Sequence, residues 1–174
     1  NLLFGFKLAD EIRRRFHMIL WNSYRFYVNY AALGNFAPSQ PTPSSDLDRW
    51  ILSRLYSTIK VVTDSLDQYN AATAANTLES FVNDLSTWYI RRSRDRVGPT
   101  VEESLDKQSC MNILHHVFTI LSQVLMPFIP FIADQMYYNL TGDSVHLADW
   151  PKAEEEAINP SLEQNMEFVR KVVE

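Results

Sequence analysis

Glycine is scarce in this chain, with four in 174 residues, at Gly5, Gly34, Gly98 and Gly142. Isolated from one another, they cannot build the glycine-rich loop whose backbone amides cradle phosphates, which argues against nucleotide binding of that kind within the segment. Cysteine is scarcer still. Cys110 stands alone, so no internal disulfide can form, and a reducing compartment, the cytoplasm, is expected. No run approaches the roughly 18 consecutive apolar residues that a membrane span requires, and the first residues lack the apolar stretch of a secretory signal. Without such a signal, the triplet Asn139-Leu140-Thr141 carries no weight as a glycosylation site. Basic residues are also in deficit, 16 Lys and Arg against 21 Asp and Glu, a net charge of -5. A nucleic-acid-binding role must therefore rest on where the cations lie rather than on their total.

What the chain does have is apolar residues, 46% of its length, enough for one domain with a substantial core. It opens at Asn1 without an initiating Met and stops at Val172-Val173-Glu174 within a helical pattern, so a piece of a longer polypeptide is expected.

Apolar residues recur at three- and four-residue steps, the signature of helices packed on one face. Helix one is expected from about Lys7 to Leu33, with Leu8, Ile12, Phe16, Ile19, Phe26 and Tyr30 inward and Gly34 at its end. Residues 35–44, with Pro38, Pro41 and Pro43, read as an exposed, mobile connector. Helix two starts after Ser45, a capping hydroxyl, with Asp46 and Asp48 favourably placed in its first turn. Its face is Leu47, Ile51, Leu55, Val62, Leu66 and Tyr69. Helix three, from about Ala71 to Val97, carries Leu78, Phe81, Val82, Leu85, Trp88 and Tyr89.

Helix four opens at Thr100-Val101-Glu102-Glu103, a capping box, and its stripe of Leu114, Val117, Leu121, Val124 and Phe128 should kink or break at Pro127 and Pro130. Asn159-Pro160 starts a final helix with Leu162, Met166, Val169 and Val173 on one side. Between them, Ser144-Val145-His146-Leu147 reads as a short extended piece. The expectation is an all-α bundle of four long helices plus a C-terminal helix, divided as residues 1–151 for the bundle and 152–174 for the start of an extension packed on or following it.

Catalytic chemistry finds few candidates. His115 and His116 are adjacent, about 100° apart around a helix, which suits two structural contacts better than one metal. Cys110 has no nearby His-plus-acid pattern and reads as a buried or half-buried thiol. No catalytic, cofactor-binding or metal-ligating residue is assigned.

One constellation stands out: Trp88-Tyr89-Ile90-Arg91-Arg92-Ser93-Arg94-Asp95-Arg96, four arginines within six residues at the end of helix three. Cations there stabilise the helix dipole, so the run can be simple helix termination; at this density it also suits phosphate oxygens, which guanidinium groups meet with paired donors. At about 100° per residue, Arg92 and Arg96 continue the meridian of Leu78, Leu85 and Tyr89, whereas Arg91 and Arg94 point away. Arg92 and Arg96 are then expected either to meet carboxylates or to lie where the helix runs beyond its bundle neighbours, leaving Arg91 and Arg94 freer. Helix one adds Arg13-Arg14-Arg15, and His17, Trp21, Tyr24 and Val28 form a second apolar face opposite Phe16, Ile19 and Phe26. That face is either packed between layers or docks another domain or RNA.

Four segments resemble class I aminoacyl-tRNA synthetases of the isoleucine, valine and leucine group, in the helical domain that follows the catalytic domain. Leu47-Asp48-Arg49-Trp50-Ile51-Leu52-Ser53-Arg54-Leu55 looks like the opening of the second helix, and Trp88 to Arg96 like the isoleucyl form of the third. Pro127-Phe128-Ile129-Pro130-Phe131-Ile132-Ala133-Asp134 is similar to the kinked fourth helix, and Ser144 to Pro151 to the closing segment.

The resemblance implies a domain that receives the anticodon stem-loop of tRNA(Ile), with Arg91, Arg92, Arg94, Arg96, Arg14 and Trp88 as tRNA contacts. It also implies that the HIGH and KMSKS signatures, and with them ATP, magnesium and aminoacyl-adenylate chemistry, belong to a catalytic domain outside this segment. That domain is an expected partner; a membrane is not. The alternatives are a valyl or leucyl relative with the same RNA role, or a helical scaffold that docks a protein through helix one.

Overall fold

Side-chain caps mark most of the helix starts in this computed structural model, which describes residues 5–34, 36–98 and 100–173. Helix α1 is continuous through Phe6–Ile12, Arg13–His17 and Met18–Leu33, with its middle segment wound as a π-helix. Helix α2, Asp46–Asp67, is capped by Ser45, whose hydroxyl accepts from the Asp48 amide at 3.2 Å. Helix α3 runs through Ala71–Asn83, a π-wound segment Asp84–Ile90, and Arg91–Val97, and Asn70 caps it by accepting from the Thr73 amide at 3.1 Å. Helix α4 is Leu105–Leu125 and helix α5 Pro130–Thr141. Helix α6, Pro160–Val173, follows the Asn159 cap, which accepts from the Leu162 amide at 3.0 Å. No strand occurs among the described residues, and the all-α expectation holds.

Helix α2 lies at the centre and is buried nearly all round: Trp50, Ile51, Leu55, Ile59 and Val62 are almost wholly inaccessible. Leu78, Phe81, Leu85 and Tyr89 of α3 and Ile113, Leu114, Val117 and Phe118 of α4 complete the core. Helix α1 joins through Leu20, Tyr24 and Tyr27, whose two rings lie 5.6 and 5.8 Å from Phe118.

Several local expectations change. The α4 cap is Ser104, which accepts from the Lys107 amide at 3.2 Å, and not Thr100. Lys107 reinforces this start by donating to the Val101 carbonyl at 3.0 Å and pairing with Glu103 at 2.6 Å, which holds residues 101–103 outside the helix. Pro127 and Pro130 break the fourth helix outright into α4 and α5, and Gly142 closes α5 in the left-handed conformation at φ 86°.

Val145–Leu147 is a 3-10 turn rather than an extended piece, with Asp134 accepting from the Ser144 hydroxyl and the Val145 amide. The proline connector is anchored instead of loose. Asn112 accepts from the Ser39 amide at 2.7 Å, Ser109 donates to the Thr42 carbonyl, and Phe36 packs on the core. Tyr69 lies beyond α2 at φ 56° and is exposed.

On α1, Leu8 and Ile12 are exposed because the Phe6–Ile12 segment buries no residue. Tyr24, assigned by periodicity to the far face, is buried, while Phe16, Ile19 and Phe26 flank the core. On α6, Leu162 and Met166 pack against the bundle, but Val169 and Val173 are exposed.

Candidate nucleic-acid interface

The arginine run sits at the end of α3, and the π-wound segment before it sets which way each arginine faces. Bonding from i to i+5 places an extra residue in the turn. From Leu85 onward one buried line runs through Tyr89, Ser93 and Val97, a uniform stride of four instead of alternating threes and fours, with Trp88 and Ile90 buried on either side of it. The core meridian thus passes to Ser93 and Val97 rather than to Arg92 and Arg96, which is why ideal-helix bookkeeping misplaced Arg92.

Arg92 is exposed, with its guanidinium carbon 4.1 Å from the centre of the Trp88 ring. Arg91 and Arg94 are exposed as expected, and none of these three forms an ion pair among the described residues. Trp88 is only 7% exposed. Its indole N–H points to the Met166 sulfur at 3.1 Å, and Arg170 lies 5.6 Å from the ring. Beneath an arginine and the last helix, Trp88 has little face left for RNA.

Arg96 behaves differently from its neighbours. Its terminal nitrogens donate to both oxygens of the wholly buried Asp48 at 2.7 and 2.8 Å, and to Asp106 at 2.7 Å, with a further bond from Nε at 2.9 Å. Tyr89 donates to Asp48 at 2.9 Å, and the Ser44 amide does so at 3.1 Å. Burial alone would push the Asp48 carboxyl up, but the Arg96 guanidinium and the hydroxyls of Tyr89 and Ser44 outweigh it and hold it below the usual carboxylate range. Hydrogen bonds from Arg96 likewise lower Asp106. Burial opposes the charge on Arg96, yet the two carboxylates more than compensate and raise its pKa. Arg96 therefore has its donors committed inside the protein and is a clamp among α2, α3 and α4.

The remaining positions fall elsewhere. Arg14 is exposed and paired with Asp10 at 2.7 Å. Its neighbour Arg15 pairs with Glu79 at 2.5 Å, which sets this run beside the opposite half of α3, about 18 Å of helix rise from Arg91. His115 and His116 share hydrogen bonds of 2.9 Å with the hydroxyls of Tyr27 and Tyr56 respectively, and burial lowers both imidazole pKa values. Cys110 is buried, 3.6 Å from the Tyr89 hydroxyl, and burial pushes its thiol up.

A second charged network escaped the reading of the sequence. Glu163 of α6 accepts from Ser53, Ser57 and Arg54, while Asp84 accepts from Arg54 at 3.1 Å and Arg170 at 2.5 Å. These bonds fasten α6 over α2 and α3 and bring Val173 beside the arginine cluster. The partners lie 30 to 110 residues apart, so no local pattern announces them.

Comparison with known proteins gives a consistent picture. The isoleucine–tRNA ligase of Dehalococcoides mccartyi (strain CBDB1) is 40% identical over 179 residues, covering 97% of this chain and 18% of the relative. That of Chlamydia trachomatis serovar D is 38% identical over 179 residues, covering 99% and 17%. Isoleucine–tRNA ligase 2 of Bacillus thuringiensis subsp. konkukian is 40% identical over 173 residues, covering 98% and 17%. The chain thus spans less than a fifth of these relatives. Among solved structures, LeuRS of Agrobacterium radiobacter K84, in a ternary complex with tRNA and LeuAMS, superposes with a TM-score of 0.56 at 18% identity, over 82% of this chain and 16% of that one. That likeness establishes a shared fold. Residues 48–174 match the family described as the anticodon-binding domain of tRNA ligase, and the chain belongs to that family.

Proposed function

We propose that this chain is the tRNA-gripping helical domain of an isoleucine–tRNA ligase. In the whole enzyme a catalytic domain outside the segment, supplied with ATP and magnesium, joins isoleucine to tRNA(Ile) in the cytoplasm. The observation that carries the reading is the division of the arginine run. Arg96 is neutralised internally by Asp48 and Asp106, while Arg91, Arg92 and Arg94 remain exposed without ion pairs among the described residues, on a helix that Arg96 itself fixes in place. Phosphate groups of an anticodon stem-loop suit such a surface, since guanidinium groups pair with two oxygens at once and counterion release favours the contact. Relatives named isoleucine–tRNA ligase that align along nearly the whole chain support the choice of amino acid.

Half-exposed Met18 and Trp21, lining a shallow cleft with Ile132, support α1 as the face that meets the catalytic domain. In this scheme residues 1–151 form the gripping bundle. Residues 152–174, fastened by Glu163 and Arg170, open an extension toward the C-terminus.

The test is a gel shift of the chain with total tRNA at two salt concentrations, followed by competition between tRNA(Ile) and a non-cognate tRNA. Affinity that falls steeply with salt and favours tRNA(Ile) is expected. Salt-independent or absent binding would overturn the reading.

A further inference from the structure

The arginines beside α6 do not share one geometry, and the difference has a chemical meaning. Thr87, Trp88, Arg91, Arg92 and Asp95 of α3 and Val173 of α6 line a cleft of about 580 Å³, within the size range of roughly 300 to 1,000 Å³ typical of ligand pockets. Trp88 forms its floor and is immobilised by the Met166 contact. Arg92 lies over that ring at 4.1 Å, so its guanidinium is held by the indole instead of ranging freely through solvent. Asp95 is exposed in the same cleft and takes part in no ion pair among the described residues. A carboxylate there repels phosphate, and it accepts hydrogen bonds from the amino groups of bases.

The geometry points to a subsite for one unpaired nucleobase that carries an exocyclic amine: Arg92, backed by Trp88, is the stacking platform, Asp95 accepts from the amine, and Arg91 holds an adjoining phosphate. This assignment rests on the tRNA-binding reading above and deepens it. A pure phosphate surface has no use for an unpaired carboxylate between its arginines. A stacked base has use for both the guanidinium plane and an acceptor at its edge.

The experiment uses tRNA(Ile) transcripts carrying 2-aminopurine at one unpaired anticodon-loop position at a time, with the wild-type chain, R92K and D95A. Wild-type protein is expected to quench the probe strongly at one position. R92K keeps the charge and loses the plane, so it should abolish that quench and weaken binding roughly fivefold to fiftyfold with an unchanged salt slope. At the quenched position, replacing an amine-bearing base by uridine should cost the wild type roughly fivefold or more, whereas D95A, which has no side-chain acceptor, should treat the two within about twofold. Binding with no quenched position, a quench that survives R92K, or a preference that survives D95A overturns the subsite while the tRNA-binding reading stands. Failure of the wild-type chain to bind tRNA overturns both.

Discussion

Asp48 and Arg96 form a two-pronged ion pair, 2.7 and 2.8 Å, that joins the first turn of α2 to the last turn of α3. Asp48 has no exposed surface. Replacing Arg96 by Ala would strand this carboxylate, and breaking a buried pair from one side costs about 3 to 5 kcal/mol. Arg96→Lys should recover only part of the loss, because an ammonium cannot bridge both oxygens of Asp48 and also reach Asp106. Arg92→Ala, on an exposed side chain, should cost about 1 kcal/mol or less. Urea midpoints of the three variants check the ordering; equal losses at positions 92 and 96 would remove the clamp from the account.

Acid should weaken the fold through two half-buried histidines of α4. Burial lowers the pKa of His115, which faces Tyr27 and His116, and of His116, where nearby Glu154 opposes the effect only in part. A histidine whose folded pKa lies below its unfolded value of about 6.5 binds fewer protons when folded, so stability is complete above that pH and falls as pH drops through it. The urea midpoint of the wild type should decline between about pH 7.5 and 5.5, and the His115→Gln, His116→Gln double variant should decline less. Parallel curves would assign the effect to other groups.

Helix α1 should tolerate change at Trp21 and resist it one position earlier. Trp21 is 44% exposed, whereas Leu20 is fully buried. Trp21→Gln should lower stability by less than about 1 kcal/mol, and Leu20→Ala by about 2 to 5 kcal/mol. Sedimentation should also show less self-association for the Trp21 variant, since an exposed apolar patch is reduced.

How much of this was legible in the sequence depends on the range of the signal. Caps at Ser45 and Asn159, the stripe from Leu78 to Tyr89 and the break between Pro127 and Pro130 are local, and each was readable. Thr100 misled because two capping patterns lie four residues apart, and the side-chain contacts of Lys107 with Val101 and Glu103 favour Ser104. Arg92 was misplaced because a π-wound turn leaves no mark in periodicity that assumes a uniform helix. Asp48 was recognised as a helix-start residue, but its role as the partner of Arg96 needs a contact 48 residues away. The cleft beside Arg91 depends on α6 folding back, which the Glu163 and Arg170 contacts bring about and no local pattern contains.

The central claim, that α3 presents its outward arginines to RNA phosphates, is tested most directly by the salt dependence of tRNA(Ile) affinity for the wild type, Arg91→Ala and Arg94→Ala, with urea midpoints as a control for folding. Both variants should keep the wild-type midpoint, bind more weakly, and lose about one unit of slope in the plot of log affinity against log salt for each phosphate contact removed. Wild-type slopes in both variants would contradict the account and leave the basic run as the end of a helix.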